Sequence, residues 1–156
     1  EYSAPGAFRQ LKPINGKNLI YSPHFYAPGS FTHQFIRTNQ TAWSYPGKIG
    51  KETWDKERLR QELAPALAFQ RKYNVPMFLG EFSAVRWADG ADRWLDDATE
   101  LFEEYGWDWC YHSFREYHGW DLEQGGGRDH PVPSADNPRK RVLLQLFRKN
   151  ATRPLR

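Results

Sequence analysis

The sequence predicts an α/β fold built on parallel strands, and three observations predict it. Apolar runs of strand length alternate with amphipathic stretches of helical period. Gly, Pro and Asn mark the joints between them. The long polar segments rich in aromatic residues follow the strands rather than the helices. Strands separated by amphipathic helices imply parallel pairing with right-handed crossovers.

The elements follow in order. Residues 1–17 read as an irregular approach, with Ala-Pro-Gly at 4–6, Pro13 and an Asn15-Gly16 turn. Asn18 to Tyr26 (NLIYSPHFY) opens with continuous apolar content, as a strand buried on both faces does. Pro23 is awkward there because it removes a ladder donor. Residues 27–54 form a loop too long and too aromatic to be idle (Phe31, Phe35, Trp43, Tyr45, Trp54), which reads as a folded binding loop.

Asp55 to Tyr73 is the first helix, with Leu59, Leu63, Ala66, Leu67 and Gln70 on one stripe and Asn74 at its end. Pro65 is expected to bend it or to mark two shorter helices. Val75 to Ser83 (VPMFLGEFS) is the second buried strand. A helix over Ala91 to Tyr105 follows, capped by Asp89 or Asp92 and stopped by Gly106. Trp107 to Phe114 (WDWCYHSF) is the third strand, and residues 115–136 form another long loop. Asn137-Pro138 opens the last helix, with Val142, Leu143, Leu146 and Phe147 as its apolar face.

Composition narrows the partners. The 156 residues carry a net charge of +3, but residues 137–156 hold seven Lys/Arg and no acid, so the remainder is net acidic. A basic tail of this kind reads as a solvated helix face and a terminus rather than a nucleic-acid site. No apolar run approaches the roughly 20 residues of a membrane span, and no signal peptide opens the chain. Cys110 is the single cysteine, so no internal disulfide or multi-cysteine metal site exists, and mid-strand among aromatics it reads as buried and inert. The histidines lack compact ligand spacing, and no cofactor or metal is expected. The chain begins at Glu1 with Met77 as its only methionine, which suggests a mature form, a cleaved form or a fragment.

One carboxylate stands out. Glu81, in Gly80-Glu81-Phe82, lies at the carboxyl end of an apolar strand, where an unpartnered charge is costly. The bland reading is a Glu paired with Arg86 or Arg115. His24 and Tyr26 are two apart, so they share one side of their strand, also at its carboxyl end. If the two strands are neighbours, both could hydrogen-bond Glu81. In parallel α/β folds ligands bind at those ends. The loops there carry flat rings (Trp43, Trp54, Trp87, Trp109, Trp120, Tyr45, Tyr117) suited to sugar faces or to packing under the loops.

These segments resemble glycoside hydrolase family 5, the cellulase and endoglucanase family. The matching stretches are PGAFRQLKPI, NLIYSPHFYAPGSFTHQ, PMFLGEFS and YGWDWCYHSFREYHGW, in that order. The resemblance implies one partial domain over residues 1–156. It is a partial (β/α)8 TIM barrel, strands six to eight with their helices, because a whole barrel needs about 250 residues. It also implies a secreted or periplasmic location and retaining hydrolysis of a β-linked polysaccharide or oligosaccharide. By position Glu81 matches the nucleophile, Tyr26 the tyrosine that hydrogen-bonds it, and His24 a histidine lining the subsite. Trp109, His112, Trp87, His33 and Trp43 are the candidates for sugar contact.

Two departures accompany the resemblance. The family's acid/base glutamate lies in an Asn-Glu pair on strand four, and this chain has no Asn-Glu dipeptide. Glu116 and Glu123 are the nearest substitutes, outside the matching position. The family's Trp-x-x-Trp on strand eight reads Trp109-Cys110-Tyr111-His112, so His112 stands where the sugar-stacking ring is expected. The expectation is therefore a chain with little turnover alone, which docks with the amino-terminal portion of its barrel or self-associates. The alternative is a carbohydrate-binding or self-assembling partial barrel that does not cut.

Overall fold

The structure, a computed structural model, describes residues 3–36 and 40–150. Three chain segments run parallel, and the middle one carries Glu81. Its two short strands, β4 (Phe78–Leu79) and β5 (Glu81–Phe82), are separated by Gly80. They face different neighbours: β5 pairs with β1 (His24–Phe25), and β4 pairs with β6 (Asp108–Trp109). Backbone bonds extend both pairings beyond the regular strands. Phe78 donates to the Tyr21 carbonyl at 3.0 Å, and His112 donates to that of Phe82 at 3.2 Å.

The three strands anticipated from the sequence are thus present in order, but their regular parts are two residues long. Pro23 shows how the awkward residue is accommodated. Its carbonyl accepts from the Gly80 N–H at 3.0 Å, so it enters the pairing only as an acceptor.

Side-chain alternation splits the sheet into two faces. Phe25, Leu79 and Phe82 are fully buried and meet the helices. Phe25 stacks on Trp94 at 5.7 Å, and Phe82 packs edge-on to Phe102 at 5.1 Å. The opposite face carries His24, Glu81 and Cys110. Cys110 is exposed, contrary to the expectation of a buried thiol, because its neighbours Trp109 and Tyr111 occupy the helix side.

Helix α2 (Lys56–Tyr73) begins where expected: the Asp55 side chain accepts from the Arg58 N–H at 2.8 Å, and Asn74 ends it in the left-handed conformation. Pro65 neither divides it nor ends it. The helix is one element, and the buried ring forfeits a single intrahelical donor. Phe69 belongs to the buried stripe, whereas Leu67 and Gln70 are half-exposed at its margin.

Helix α3 (Ala91–Tyr105) has the predicted bounds, but no aspartate caps it. Gly90 does, at φ 78°, and a Cβ there would lie 1.7 Å from the Tyr45 carbonyl oxygen. Only glycine lets the 27–54 loop press so closely on the helix start. The described residues of that loop include a short helix α1 (Gly29–Thr32) and an antiparallel pair, β2 (Gly47–Ile49) with β3 (Glu52–Trp54). Its buried Tyr45 donates to Asp97 of α3 at 2.8 Å.

The 115–136 segment, read as plain loop, contains a second antiparallel pair, β7 (Gln124–Gly125) with β8 (Val132–Pro133). Helix α4 (Pro138–Asn150) starts with Asn137, whose side chain accepts from Lys140 N–H at 3.1 Å and donates to the Leu122 carbonyl at 2.8 Å. Leu143 and Leu146 are buried, while Phe147 of the predicted apolar face is 45% exposed.

The basic tail is not simply a solvated face. Arg139 is 4% exposed and its guanidinium donates to the carbonyls of Ala84, Trp120 and Asp121 at 3.2, 3.2 and 2.9 Å. Burial holds its pKa below the usual guanidinium range, yet the group stays a cation at neutral pH. This one side chain ties α4, the end of the middle strand and the 115–136 segment together.

Two outcomes are expected. Arg139→Met leaves several buried carbonyls unsatisfied and should cost about 3 kcal/mol or more in urea unfolding. Burial and Asp97 push the Tyr45 hydroxyl far above the ordinary phenol value. The unfolded chain can release that proton near pH ~10 and the folded chain cannot, so stability is complete below that pH and falls above it. Tyr45→Phe should lose about 1 kcal/mol near pH ~8 and show a shallower alkaline decline in urea midpoint.

Candidate active site

The parallel register sets His24 directly opposite Glu81 at the carboxyl ends of two adjacent strands. His24 Nδ1 lies 3.4 Å from Glu81 Oε2. The Tyr26 hydroxyl donates to the same oxygen at 3.0 Å. Among the described residues Oε1 has no such partner. The Glu81 side chain is 37% exposed, so it is held from one side and open from the other.

Gly80 permits this approach. A Cβ at that position would meet Ser22 Oγ at 2.5 Å and His24 Nε2 at 3.2 Å, forcing the histidine away from the carboxylate. Tyr26 is fixed in turn by its backbone, whose carbonyl accepts from Thr32 Oγ1 at 2.7 Å. Burial first, then the Glu81 charge, drive the Tyr26 pKa far up. Its hydroxyl therefore keeps its proton near neutral pH and can donate it to Glu81.

The bland alternative for Glu81 does not occur. Arg86 turns away to the carbonyls of Gly126, Gly127 and Arg128, and Arg115 pairs with Glu123 at 2.6 Å.

The sugar-contact candidates separate into two groups. His33 and His112 join the Glu81 cluster. The His33 ring centroid lies 5.0 Å from that of Tyr26, and the Tyr26 hydroxyl lies 3.1 Å from His112 Nδ1. Trp109 does not join it. Strand alternation turns its ring to the helix side, where it stacks on Phe147 at 5.7 Å and donates to Glu103 at 3.1 Å. Trp87 sits farther along the rim, its indole N–H bonded to the Gln34 carbonyl at 2.9 Å and its ring under Arg86. Trp43 is clamped through its backbone by the Gln34 amide, and among the described residues no hydrogen bond or ring contact joins it to the Glu81 cluster.

Trp120 was only one aromatic among many in the sequence, yet it is the centre of the cluster. Its ring meets Tyr26, His33, His112 and Tyr117 at centroid distances of 6.0, 5.1, 5.3 and 5.3 Å. Its carbonyl is held by Tyr111 and Arg139. The available signal was weak: an indole just after Gly119, in the segment that follows the third strand.

The two spare carboxylates differ in kind. Arg115 beside Glu123 holds that carboxyl below the usual range, which makes it a poor proton donor. Glu116 lies 3.0 Å from His112 Nε2 and so touches the cluster at second hand. No group of three or more His, Cys, Asp or Glu that could hold a metal ion occurs among the described residues.

Comparisons with known proteins bear on the family and the fold. The family model for Cellulase (glycosyl hydrolase family 5) matches residues 2–117. Endoglucanase C of Acetivibrio thermocellus is 31% identical, over 67% of this chain and 38% of that protein; Endoglucanase C307 of Clostridium sp. strain F1 gives the same figures. The chain thus spans well under half the length of the curated relatives it matches. Among solved structures, a hyperthermophilic endo-β-1,4-glucanase in complex with substrate superimposes with a TM-score of 0.70 at 30% identity, over 92% of this chain and 44% of that one. Cel5A of Thermotoga maritima, in complex with cellobiose, gives 0.64 at 24% identity, over 78% and 40%. The architecture is part of the TIM barrel of these endoglucanases, and the chain belongs to the cellulase family, glycosyl hydrolase family 5.

Proposed function

We propose that this chain carries the nucleophile side of a retaining β-1,4-glucanase cleft, with Glu81 as the attacking group. The observation that carries the reading is the Tyr26–Glu81 hydrogen bond at 3.0 Å, made to one oxygen of an otherwise accessible carboxylate at the strand ends. Glu81 Oε1 attacks the anomeric carbon and the glycosidic C–O bond breaks. Water later attacks the glycosyl ester and regenerates the carboxylate. The Tyr26 donor and His24 keep Oε2 oriented, so that Oε1 is the free nucleophile. The ligands named for the solved relatives, substrate and cellobiose, support a β-glucan as the molecule bound.

Retention requires a second carboxyl about 5–5.5 Å away that protonates the leaving oxygen and then activates water. Neither Glu116, paired with His112, nor Glu123, paired with Arg115, stands in that role. The isolated chain should therefore lose roughly 10²–10⁴ in rate on glucan. That lack favours one second reading, a glucan-binding partial barrel, which would bind soluble glucan and release no reducing ends.

A 2-deoxy-2-fluoro cellobioside with a dinitrophenyl leaving group needs no acid and tests the nucleophile alone. The glycosyl adduct is expected on the Glu81 peptide by mass spectrometry, is absent from Glu81→Gln, and forms about tenfold slower in Tyr26→Phe. Equal labelling of Glu81→Gln would overturn the assignment.

The edges support a second expectation. Strand β6 has a single strand neighbour among the described residues, and beside it Trp109, Phe114 and Phe147 line an apolar hollow of about 280 Å³, with Phe114 74% exposed. Bare strand edges recruit other chains. Light scattering should show a mass above the 18.4 kDa of one chain, and the amino-terminal portion of a family barrel should convert that species to a one-to-one complex. A stable 18.4 kDa monomer that ignores the added portion would refute this.

A further inference from the structure

The Tyr26 hydroxyl has one proton and two competitors for it. Glu81 Oε2 lies 3.0 Å away and His112 Nδ1 lies 3.1 Å away. A phenol donates once, so both contacts can be attractive only if the histidine supplies the second proton. Which imidazole nitrogen is protonated depends on the hydrogen bond made by the other. Here the other nitrogen, Nε2, lies 3.0 Å from Glu116 Oε2. A carboxylate accepts, so Glu116 places a proton on Nε2. In neutral His112 the remaining nitrogen, Nδ1, is then a bare acceptor facing Tyr26.

We propose that His112, set by Glu116, is a proton-dependent positioning residue for the Tyr26–Glu81 hydrogen bond. In the imidazolium form both ring nitrogens donate, Nε2–H to Glu116 and Nδ1–H to the Tyr26 oxygen. The Tyr26 proton is then committed to Glu81, and each proton in the row has its own acceptor: Glu116, the Tyr26 oxygen and Glu81. When His112 loses its proton, Nδ1 competes with Glu81 for the phenol proton, and Glu81 loses part of the Tyr26 donor. The functional consequence rests on Glu81 being the nucleophile; the proton coupling itself does not.

The surroundings leave His112 few other partners. Tyr26 faces it from the first strand segment and Glu116 from its own loop. The Trp120 ring packs against it at 5.3 Å. Glu81 lies one hydrogen bond beyond Tyr26. His33 packs against Tyr26 and Trp120. Glu116 itself is two-thirds exposed, so its substitution perturbs the switch without opening the core.

Nuclear magnetic resonance on the full chain reads this without any turnover. Long-range ¹⁵N–¹H spectra of the imidazoles should show neutral His112 with its proton on Nε2, and Glu116→Gln should lose that preference while Glu116→Asp retains it. The Glu81 side-chain carboxyl ¹³C signal should step at the pH where the His112 ring titrates, and Tyr26→Phe should abolish the step with His112 still titrating. Neutral His112 protonated on Nδ1, or a Glu81 signal blind to the His112 titration, overturns the proposal. Failure of Glu81 to form the glycosyl adduct would remove the nucleophile reading and leave this coupling standing, so the two can fail separately.

Discussion

One register governs the cleft: His24 opposite Glu81, Phe25 opposite Phe82. Side chains alternate along a strand, so a slip of one residue would exchange the faces of every side chain in the pair. Glu81 would enter the apolar layer beside Phe102 and Trp94, and Phe82 would enter the cleft. The buried rings forbid this. Phe25 and Phe82 each contact Phe102 of α3, at 6.0 and 5.1 Å, and neither aromatic can be withdrawn without losing about 1.5–3 kcal/mol of burial. The carboxylate's placement is thus enforced from the opposite side of the sheet, by residues that never meet a ligand.

This explains which features were legible in the sequence. The order of elements, the bounds of α2 and α3 to within a residue, and the helix ends at Asn74 and Asn137 follow from local periodicity and local hydrogen bonding. The juxtaposition of His24, Tyr26 and Glu81 required one further assumption, that the first two strands are neighbours, and the parallel pairing meets it. What was not legible depends on long-range geometry. The strand period alone puts Trp109 and Tyr26 on no common side, because their strands are brought together through a third. Trp109 consequently ended on the helix side, against Phe147. Gly90 caps α3 in place of an aspartate because a distant loop presses on it, and no local pattern reports that pressure. The central place of Trp120 among the many loop aromatics was hidden for the same reason: its carbonyl is held by Tyr111 and Arg139, which only the fold brings to it.

Arg139 imposes a constraint of another kind. A buried guanidinium is an expensive way to hold a loop, and an apolar side chain would pack as well. What it supplies is direction. Planar donors of fixed geometry engage carbonyls from the middle strand's end and from the segment carrying Trp120. The aromatic wall of the cleft is therefore registered against the strand bearing Glu81, not merely collapsed on it. Helix α4 thereby acts on the site at a distance, through backbone carbonyls and the Tyr111 hydroxyl.

The exposed Cys110 has a practical corollary. It is the sole thiol in the chain, and it lies two residues before His112, on the same side of its strand. A maleimide fluorophore would attach at one place only, close to the row of donors, without mutagenesis to remove competing sulfurs. Such a dye would turn rearrangement of that row into an optical signal, read on the unmodified sequence.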